Sequence, residues 1–235
     1  MECHVEIGES CNLQLRHALL IYEDECRTFA TLHAVLPQAE GAPLLAPAEP
    51  LSLAFVRRLS EGLGARIAPE VLPVNVLART LEMIVWWVRG SPRLMFFGEA
   101  DEKARKLNGS VFPQPPLVFK VRDRSLFVRA LAVNARPEAD TRLKTAPYWN
   151  VAGDNGQVCL GMVRLPESTS VDSIPSGETA FFQSEYTHAW GTARLTKHEG
   201  GFVGLWNDLR GKKKFPGRYL TDARQTLQDF ISQER

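Results

Sequence analysis

Cys159 lies in a segment whose residue types could support nucleophilic chemistry. Residues 147–161 read PYWNVAGDNGQVCLG, so the cysteine follows an Asn155-Gly156 pair by three residues. An Asn-Gly pair favours the positive φ angles of a tight turn, and we expect it to present Cys159 on an ordered loop that solvent can reach. A thiolate on such a loop can act as a nucleophile. The segment therefore predicts a reactive cysteine, and a small buried apolar residue is the alternative for a free thiol.

The other three cysteines are Cys3, Cys11 and Cys26. Four cysteines in a chain of 235 residues do not indicate a disulfide framework in a reducing compartment. The cysteines and histidines near the N-terminus lack the close spacing of a structural zinc site, so neither a metal nor another cofactor is predicted. Because Cys159 follows a turn on a loop, whereas Cys26 lies at the start of an apolar stretch typical of a strand, we expect Cys159 alone among the four to be both accessible and prone to form a thiolate.

His188 is the second candidate for a catalytic side chain. The Cys159 segment has no base of its own, and an imidazole can accept or donate a proton near neutral pH. A structural histidine that is held by a backbone carbonyl, or that caps the preceding helix, is the alternative. The spacing between residues 159 and 188 does not by itself link the two side chains.

A basic run, Lys212–Lys214, stands near Arg210 and Arg218. Such a run is typical of a solvated loop, and a docking patch for an acidic partner or for nucleic acid is the alternative. The whole chain has 28 basic and 27 acidic residues, a formal net charge of +1. No overall field therefore favours nucleic acid, and a nucleic-acid partner is not predicted.

Residues 147–161 resemble the active-site segment of ubiquitin-conjugating (E2) enzymes. In that family a His-Pro-Asn tripeptide precedes Gly-x-[Ile/Val]-Cys-Leu. This chain has Tyr148-Trp149-Asn150 and then Gly156-Gln157-Val158-Cys159-Leu160. The His and the Pro are replaced, and the interval of nine residues from Asn150 to Cys159 is about one longer than is usual there.

The resemblance extends over nearly the whole chain, which is similar to PRTRC system protein B, an E2-like bacterial family encoded on plasmids and other mobile elements. The further stretches that are similar are Ala30–His33, Trp86-Trp87, Arg93–Phe97, Pro115–Phe119, Ala146-Pro147 and Phe181–His188. The cassette of that family also contains ThiF-related members, which resemble the E1 enzymes that activate ubiquitin-like proteins by adenylation.

The resemblance implies an E2/UBC-like fold and an E2-like activity. Cys159 would accept an activated ubiquitin-like protein as a thioester from a ThiF/E1-like partner and would pass it to a nucleophile. Asn150 would donate to the oxyanion of the tetrahedral intermediate, and a turn-forming side chain that bonds its own backbone is the alternative. A non-catalytic E2-like module that binds the same partners is the second hypothesis for the whole protein.

Composition argues against several other classes of protein. The chain is 44% hydrophobic and 23% charged, which is typical of folded globular proteins. Its longest apolar run, Met83–Val88, has six residues, whereas a membrane-spanning helix needs roughly 20. The N-terminus lacks the basic and apolar regions of a secretory signal. We therefore expect a cytoplasmic protein without a membrane span.

Short apolar stretches predict the elements of the first half of the chain. Residues 15–22 and 29–36 flank a polar group and indicate an antiparallel hairpin, and residues 51–59 indicate a helix. Runs rich in β-branched and aromatic residues predict strands over 74–79, 83–88, 94–97, 117–121 and 126–131. Residues 101–107 fit either a short helix or a loop.

The strand pattern ends after Pro137. Residues 141–175 are predicted to be irregular, and helices are predicted over 178–189 and 220–231. Strands followed by helices indicate an α+β fold. Together with the resemblance, this predicts an E2/UBC-like meandering antiparallel sheet with flanking helices. We expect a single E2-like domain over 1–235, in which residues 1–65 form an N-terminal hairpin-plus-helix elaboration.

Overall fold

The computed structural model describes residues 15–24, 26–38, 42–62, 70–98, 101–166, 169–190 and 194–233. Cys3 and Cys11 lie outside these residues. The chain divides into two compact units, Met1–Pro69 and Glu70–Arg235. This boundary is close to the end of the predicted N-terminal elaboration, and the single-domain organisation stays a prediction.

The first unit contains the predicted hairpin and helix. Its elements are β1 (His17–Glu23), β2 (Thr28–Leu36), β3 (Leu44–Leu45) and α1 (Leu53–Gly62). Strand β2 pairs antiparallel with β1 and with β3. The carboxylate of Asp24 accepts hydrogen bonds from the N–H groups of Cys26 and Arg27, both at 2.8 Å, and so closes the turn between β1 and β2. The hairpin prediction is confirmed.

The second unit contains the remaining strands and helices. In chain order they are β4 (Val76–Arg79), β5 (Met83–Val88), β6 (Pro92–Phe97), α2 (Glu102–Arg105), β7 (Ser110–Pro113), β8 (Leu117–Arg122), β9 (Ser125–Ala130), β10 (Arg142–Thr145), α3 (Ile174–Phe182), β11 (Glu185–Tyr186), α4 (Gly201–Leu209), β12 (Asp222–Thr226) and α5 (Leu227–Ser232). One-turn 3-10 helices lie at Val171–Ser173 and Gly217–Tyr219.

The strands of the second unit form two sheets. The main sheet is antiparallel and has the order β12-β10-β9-β8-β5-β4, and β8, β9 and β10 form its meander. A smaller sheet has the order β11-β6-β7, in which β11 runs parallel to β6. The α+β, E2-like fold with an N-terminal hairpin is confirmed. The predicted strand over 94–97 belongs to the smaller sheet.

The main sheet is covered on both faces, which explains why β5 and β8 are almost continuously apolar. On one face Trp86 stacks on Phe119 with ring centroids 5.2 Å apart. Helix α3 approaches this pair closely, because a Cβ on Gly177 would lie only 2.9 Å from the Trp86 ring. On the other face Phe230 of α5 is fully buried in a cluster with Trp87 and other residues of β5, β8 and β9.

Three predictions about the second half of the chain are wrong. Strands β10 and β12 lie where no strand was predicted, because they are polar and β12 is an edge strand. The predicted helix over 220–231 is β12 followed by α5, which begins at a capping box of Thr226 and Asp229. The predicted helix over 178–189 is α3, which begins four residues earlier and ends at Phe182.

Within the described parts of the chain, no helix combines the length and the apolar character that crossing a membrane requires.

Candidate active site

The segment before Cys159 is a short hairpin attached to the main sheet. Val151 and Val158 form an antiparallel bridge that closes the hairpin. Its returning side lies along β9, where the N–H of Val158 donates to the carbonyl of Leu126 at 2.8 Å. Cys159 therefore follows a segment that is hydrogen-bonded to the sheet, and this part of the predicted irregular stretch is ordered.

The turn of the hairpin depends on one glycine. Gly156 has a φ of +82°, and a Cβ there would lie 2.7 Å from the carbonyl oxygen of Val128. Asn155 does not have the positive φ expected of an Asn-Gly pair. Its side-chain oxygen instead accepts the N–H of Gln157 at 2.9 Å. The predicted turn is at the right place, but only its glycine has the predicted conformation.

A buried arginine holds this turn against the sheet. Arg129 of β9 is fully buried, and its guanidinium donates to the carbonyls of Gly153, at 3.0 Å, and Asp154. Its Nε donates to the side-chain oxygen of Gln225 at 2.6 Å. Burial lowers the pKa of Arg129 to about 10, although the carboxylate of Asp154 acts in the opposite direction. The guanidinium is therefore charged at neutral pH and fixes the turn through its backbone carbonyls.

Cys159 is exposed, as the sequence predicts. Its backbone is fixed by a hydrogen bond from its N–H to the carbonyl of Asn150 at 2.7 Å. The next residue, Leu160, packs against the core. The thiol is therefore accessible on a backbone that is held on both sides.

Cys26 is exposed as well. Accessibility therefore does not distinguish Cys159 from Cys26 among the described cysteines, and the greater reactivity of Cys159 stays a prediction. Cys26 is accessible because β2 begins only at Thr28, so Cys26 belongs to the turn between β1 and β2 and not to the apolar strand.

Asn150 joins two chain segments because its backbone is left-handed. Its φ is +62°, a conformation that Asn tolerates better than most non-glycine residues. In an extended strand the N–H and C=O of one residue point towards the same neighbouring strand. In a helical conformation they point in opposite directions. Accordingly, the N–H of Asn150 donates to the carbonyl of His188 at 3.1 Å, and its carbonyl accepts from Cys159. The backbones of residues 159 and 188 thus flank Asn150.

The side chain of Asn150 binds the segment that follows α3. It is 8% exposed, and its Nδ2 donates to the carbonyl of Glu185 at 2.7 Å. Its Oδ1 accepts from the hydroxyl of Thr187 at 3.1 Å and from the N–H of Thr187 at 3.4 Å. These partners are 35 and 37 residues away along the chain, so the alternative that Asn150 bonds its own backbone is wrong.

His188 is exposed beside this amide. Its Nδ1 lies 2.9 Å from the hydroxyl oxygen of Thr187. Helix α3 ends at Phe182, so His188 does not cap it. The structure therefore connects the backbones of Cys159 and His188 to that of Asn150 through hydrogen bonds, although His188 is distant from the other two in sequence. We call these three residues and Thr187 the Cys159 site.

Two aromatic residues occupy the positions of the His and Pro of the E2 tripeptide. Tyr148 is fully buried and donates its hydroxyl to the side-chain oxygen of Gln114 at 2.7 Å. Burial raises the pKa of Tyr148 well above its ordinary value, so the hydroxyl stays protonated. Trp149 stacks on Phe202 of α4 with ring centroids 4.3 Å apart. Packing of both rings fixes the chain immediately before Asn150.

Sequence reasoning missed Thr187 and Arg129, which hold the site together. Thr187 is adjacent to His188 and within the stretch that resembles the family, and this was the available signal. Arg129 lies in a strand that is otherwise apolar, and a charged residue in such a run is a signal for a buried, fully bonded side chain. The Lys212–Lys214 run is exposed, and its role as a docking patch is untested.

The curled antiparallel sheet, its flanking helices and the N-terminal hairpin are those of an E2-like fold. The chain belongs to prokaryotic E2 family D, whose family model matches residues 55–223. No curated protein and no solved structure matches the chain significantly. The family assignment therefore rests on that match, and its E2-like character agrees with the fold.

Proposed function

We propose that this protein is an E2-like carrier of a ubiquitin-like protein, with Cys159 as the acceptor. The observation that carries the proposal is an exposed cysteine, held by Asn150 beside His188, in a member of an E2 family. The partners are a ubiquitin-like protein and a ThiF/E1-like activating enzyme. The similarity to PRTRC system protein B supports a role in a cassette of a mobile element.

The proposed chemistry has two steps. The Cys159 thiolate first attacks the thioester carbonyl on the activating enzyme, a new S–C bond forms, and the thiolate of that enzyme leaves. A nucleophile then attacks the Cys159 thioester and releases the thiolate. In both steps the carbonyl oxygen gains negative charge, which a hydrogen-bond donor stabilises. No metal or cofactor is part of this proposal.

Asn150 is the proposed donor to that oxyanion. An amide nitrogen has two N–H groups, and the hydrogen bond to Glu185 uses one of them. The second is the group that would donate in the transition state. In this proposal Asn150 has two roles, because it also positions Cys159 through its backbone carbonyl.

A second candidate function is a non-catalytic E2-like module that binds the same partners. One observation favours it: both ends of the Asn150 amide are engaged by the segment 185–187. A purely structural Asn150 would have the same contacts. The two candidates differ in whether a covalent adduct forms on Cys159.

Loading with the modifier tests the proposal. The protein is mixed with its cognate ThiF-like enzyme, the ubiquitin-like protein and ATP, and a gel is run with and without thiol reductant. We expect an adduct that the reductant removes. Cys159→Ser should lose this adduct or form a reductant-resistant ester, whereas the matched variant Cys26→Ser should load normally.

Unfolding measurements provide the control for this experiment. The exposed Cys159→Ser change should alter the free energy of unfolding by no more than about 0.5 kcal/mol. If Cys159→Ser unfolds instead, a structural thiol is the better account. Partner binding without any adduct would support the non-catalytic module.

A further inference from the structure

We propose that Thr187 is a positioning residue that holds His188 in the tautomer with its proton on Nδ1, so that Nε2 is the proton acceptor. The tautomer assignment depends only on the hydrogen bonds of the Cys159 site. The use of Nε2 as a base rests on the proposed carrier function. Neither the family match nor the sequence assigns a role to Thr187.

The neighbours of the Asn150 amide fix its orientation. The carbonyl of Glu185 lies 2.7 Å from one end of this amide and can only accept a hydrogen bond. The NH2 group must therefore be at that end. The opposite end faces the backbone N–H of Thr187, which can only donate, so it must be the amide oxygen. In the reversed orientation the amide oxygen would face the carbonyl oxygen of Glu185, and the NH2 group would face the N–H of Thr187.

The amide oxygen of Asn150 fixes the direction of the hydroxyl proton of Thr187. Its oxygen lies 3.1 Å from Oδ1 of Asn150, which is an acceptor. The hydroxyl has one proton, and this contact is a hydrogen bond only if that proton points towards Asn150. Towards its other neighbours the hydroxyl oxygen of Thr187 can then only accept hydrogen bonds.

The hydroxyl of Thr187 in turn fixes the tautomer of the His188 imidazole. Nδ1 of His188 is 2.9 Å from the Thr187 oxygen, whose only proton is already directed at Asn150. Nδ1 must therefore be the donor, and in the neutral ring Nε2 has the lone pair. The result is a continuous chain of donors that begins at His188, passes through Thr187 and Asn150, and ends at the Glu185 carbonyl.

This tautomer suits proton transfer. His188 is exposed, so an incoming group can reach it. Protonation of Nε2 leaves the hydrogen bond from Nδ1–H to Thr187 intact, because the imidazolium donates from both nitrogens. The base can therefore accept a proton without any rearrangement of the site.

The backbone geometry places His188 near the reacting centre. The backbones of residues 159 and 188 are each hydrogen-bonded to Asn150, which lies between them. Cys159 and His188 are both exposed, so an incoming amine can approach both residues from solvent.

In the proposed discharge step His188 takes up the proton that the amine loses. The amine nitrogen forms a bond to the thioester carbonyl carbon, and one of its protons moves to Nε2 of His188. The C–S bond breaks, and the electron pair leaves with the Cys159 sulfur as a thiolate. The products are an amide, a protonated His188 and a free Cys159.

Nitrogen NMR of the histidine ring tests the tautomer without any partner. In neutral His188 the long-range couplings to the ring protons identify which nitrogen is protonated. We expect Nδ1–H in the parent protein and in Thr187→Ser, which keeps the hydroxyl. In Thr187→Val the acceptor is lost, and the population should shift towards Nε2–H. Predominant Nε2–H in the parent overturns the proposal.

Single-turnover discharge of the loaded protein to a free amine tests the role of the base. Thr187→Val should slow discharge by about 10-fold or more, and Thr187→Ser should restore most of the rate. In a His188→Gln background Thr187→Val should have no further effect. The exposed Thr179→Val is the matched control and should discharge at the parent rate.

The NMR and discharge experiments test the role of Thr187 separately from the carrier function. If the protein cannot be loaded, the carrier function fails and the tautomer result still decides the assignment of Thr187. If loading is normal but His188→Gln discharges at the parent rate, Nε2 is not the base and the role of Thr187 in the reaction is overturned.

Discussion

Strand β9 contributes both to the core of the main sheet and to the support of the hairpin that precedes Cys159, but different forces act in the two places. In the core, Leu126, Phe127 and Val128 are buried against apolar neighbours on the two faces of the sheet. Next to the site, Arg129 of the same strand donates to backbone carbonyls of the turn that precedes Cys159. Burial of apolar area is non-directional, whereas a hydrogen bond requires a particular geometry. The core should therefore tolerate substitutions that the site does not.

The largest effect of this difference is expected at Arg129. Arg129→Met removes the donors to the carbonyls of Gly153 and Asp154, and it should lower the free energy of unfolding by about 2–4 kcal/mol. Val128→Ala, next to it in the core, should cost about 2–3 kcal/mol through loss of buried area and a cavity. Chemical denaturation measures both values.

Hydrogen exchange then distinguishes the two substitutions. Arg129→Met should increase exchange locally in the hairpin over residues 151–158, because the turn is released. Val128→Ala should change exchange there only as far as global stability changes. Equal local effects of the two variants would contradict the distinction between core and site.

The next effect concerns catalysis at Asn150. Asn150→Ala should slow discharge of the loaded modifier by roughly 100-fold, because it removes the proposed oxyanion donor, while affinity for the partners changes little. Asn150→Gly removes the same amide but tolerates the positive φ, and it is the matched control for backbone strain. Both variants should be slow if the amide acts in catalysis. Recovery of the rate in Asn150→Gly would leave Asn150 only a conformational role.

The smallest effect is expected from a buried cation in the core. Nζ of Lys120 donates to the carbonyls of Phe230 at 2.8 Å and Gln233 at 3.1 Å. The pKa of Lys120 is lowered to about 8, mainly by burial and in addition by the charges of Arg122 and Arg129. At neutral pH the positive charge on Lys120 therefore lowers the free energy of unfolding.

The pH dependence follows from this lowered pKa. Between about pH 8 and the unfolded value of 10.5, the unfolded chain binds more protons at residue 120 than the folded chain. Stability relative to Lys120→Met should therefore rise with pH, by about 2 kcal/mol between pH 8 and 9.5. The exposed Lys103→Met is the control. A difference that does not change with pH would show that the Lys120 charge is compensated within the fold.

The same contrast explains what could be predicted from the sequence. The strands β5, β8 and β9 were predicted within one or two residues, because apolar runs of this kind have few alternatives once both faces of a sheet are covered. Helix α4 was not predicted, because glycines at 200, 201 and 204 lower its helix propensity. Burial of Phe202 and Trp206 stabilises it instead, and that is a tertiary effect.

The site was predictable only as a set of residue types. The motif and the resemblance indicated Cys159, Asn150 and His188 as candidates, and the structure connects the backbones of Cys159 and His188 to Asn150. Their connection depends on the left-handed φ of Asn150 and on the hydroxyl of Thr187. Neither feature has a sequence period, so no pattern of apolar and polar residues could have revealed it.

The most direct test of the account is to locate the modifier on the protein. After loading with the cognate ThiF-like enzyme, the ubiquitin-like protein and ATP, the trapped adduct is digested and mapped by mass spectrometry. We expect the C-terminal remnant of the modifier on residue 159, lost with thiol reductant in the parent and resistant to it in Cys159→Ser. A remnant on Cys26 or on a lysine, with none on residue 159, would contradict the assignment of Cys159 as the acceptor.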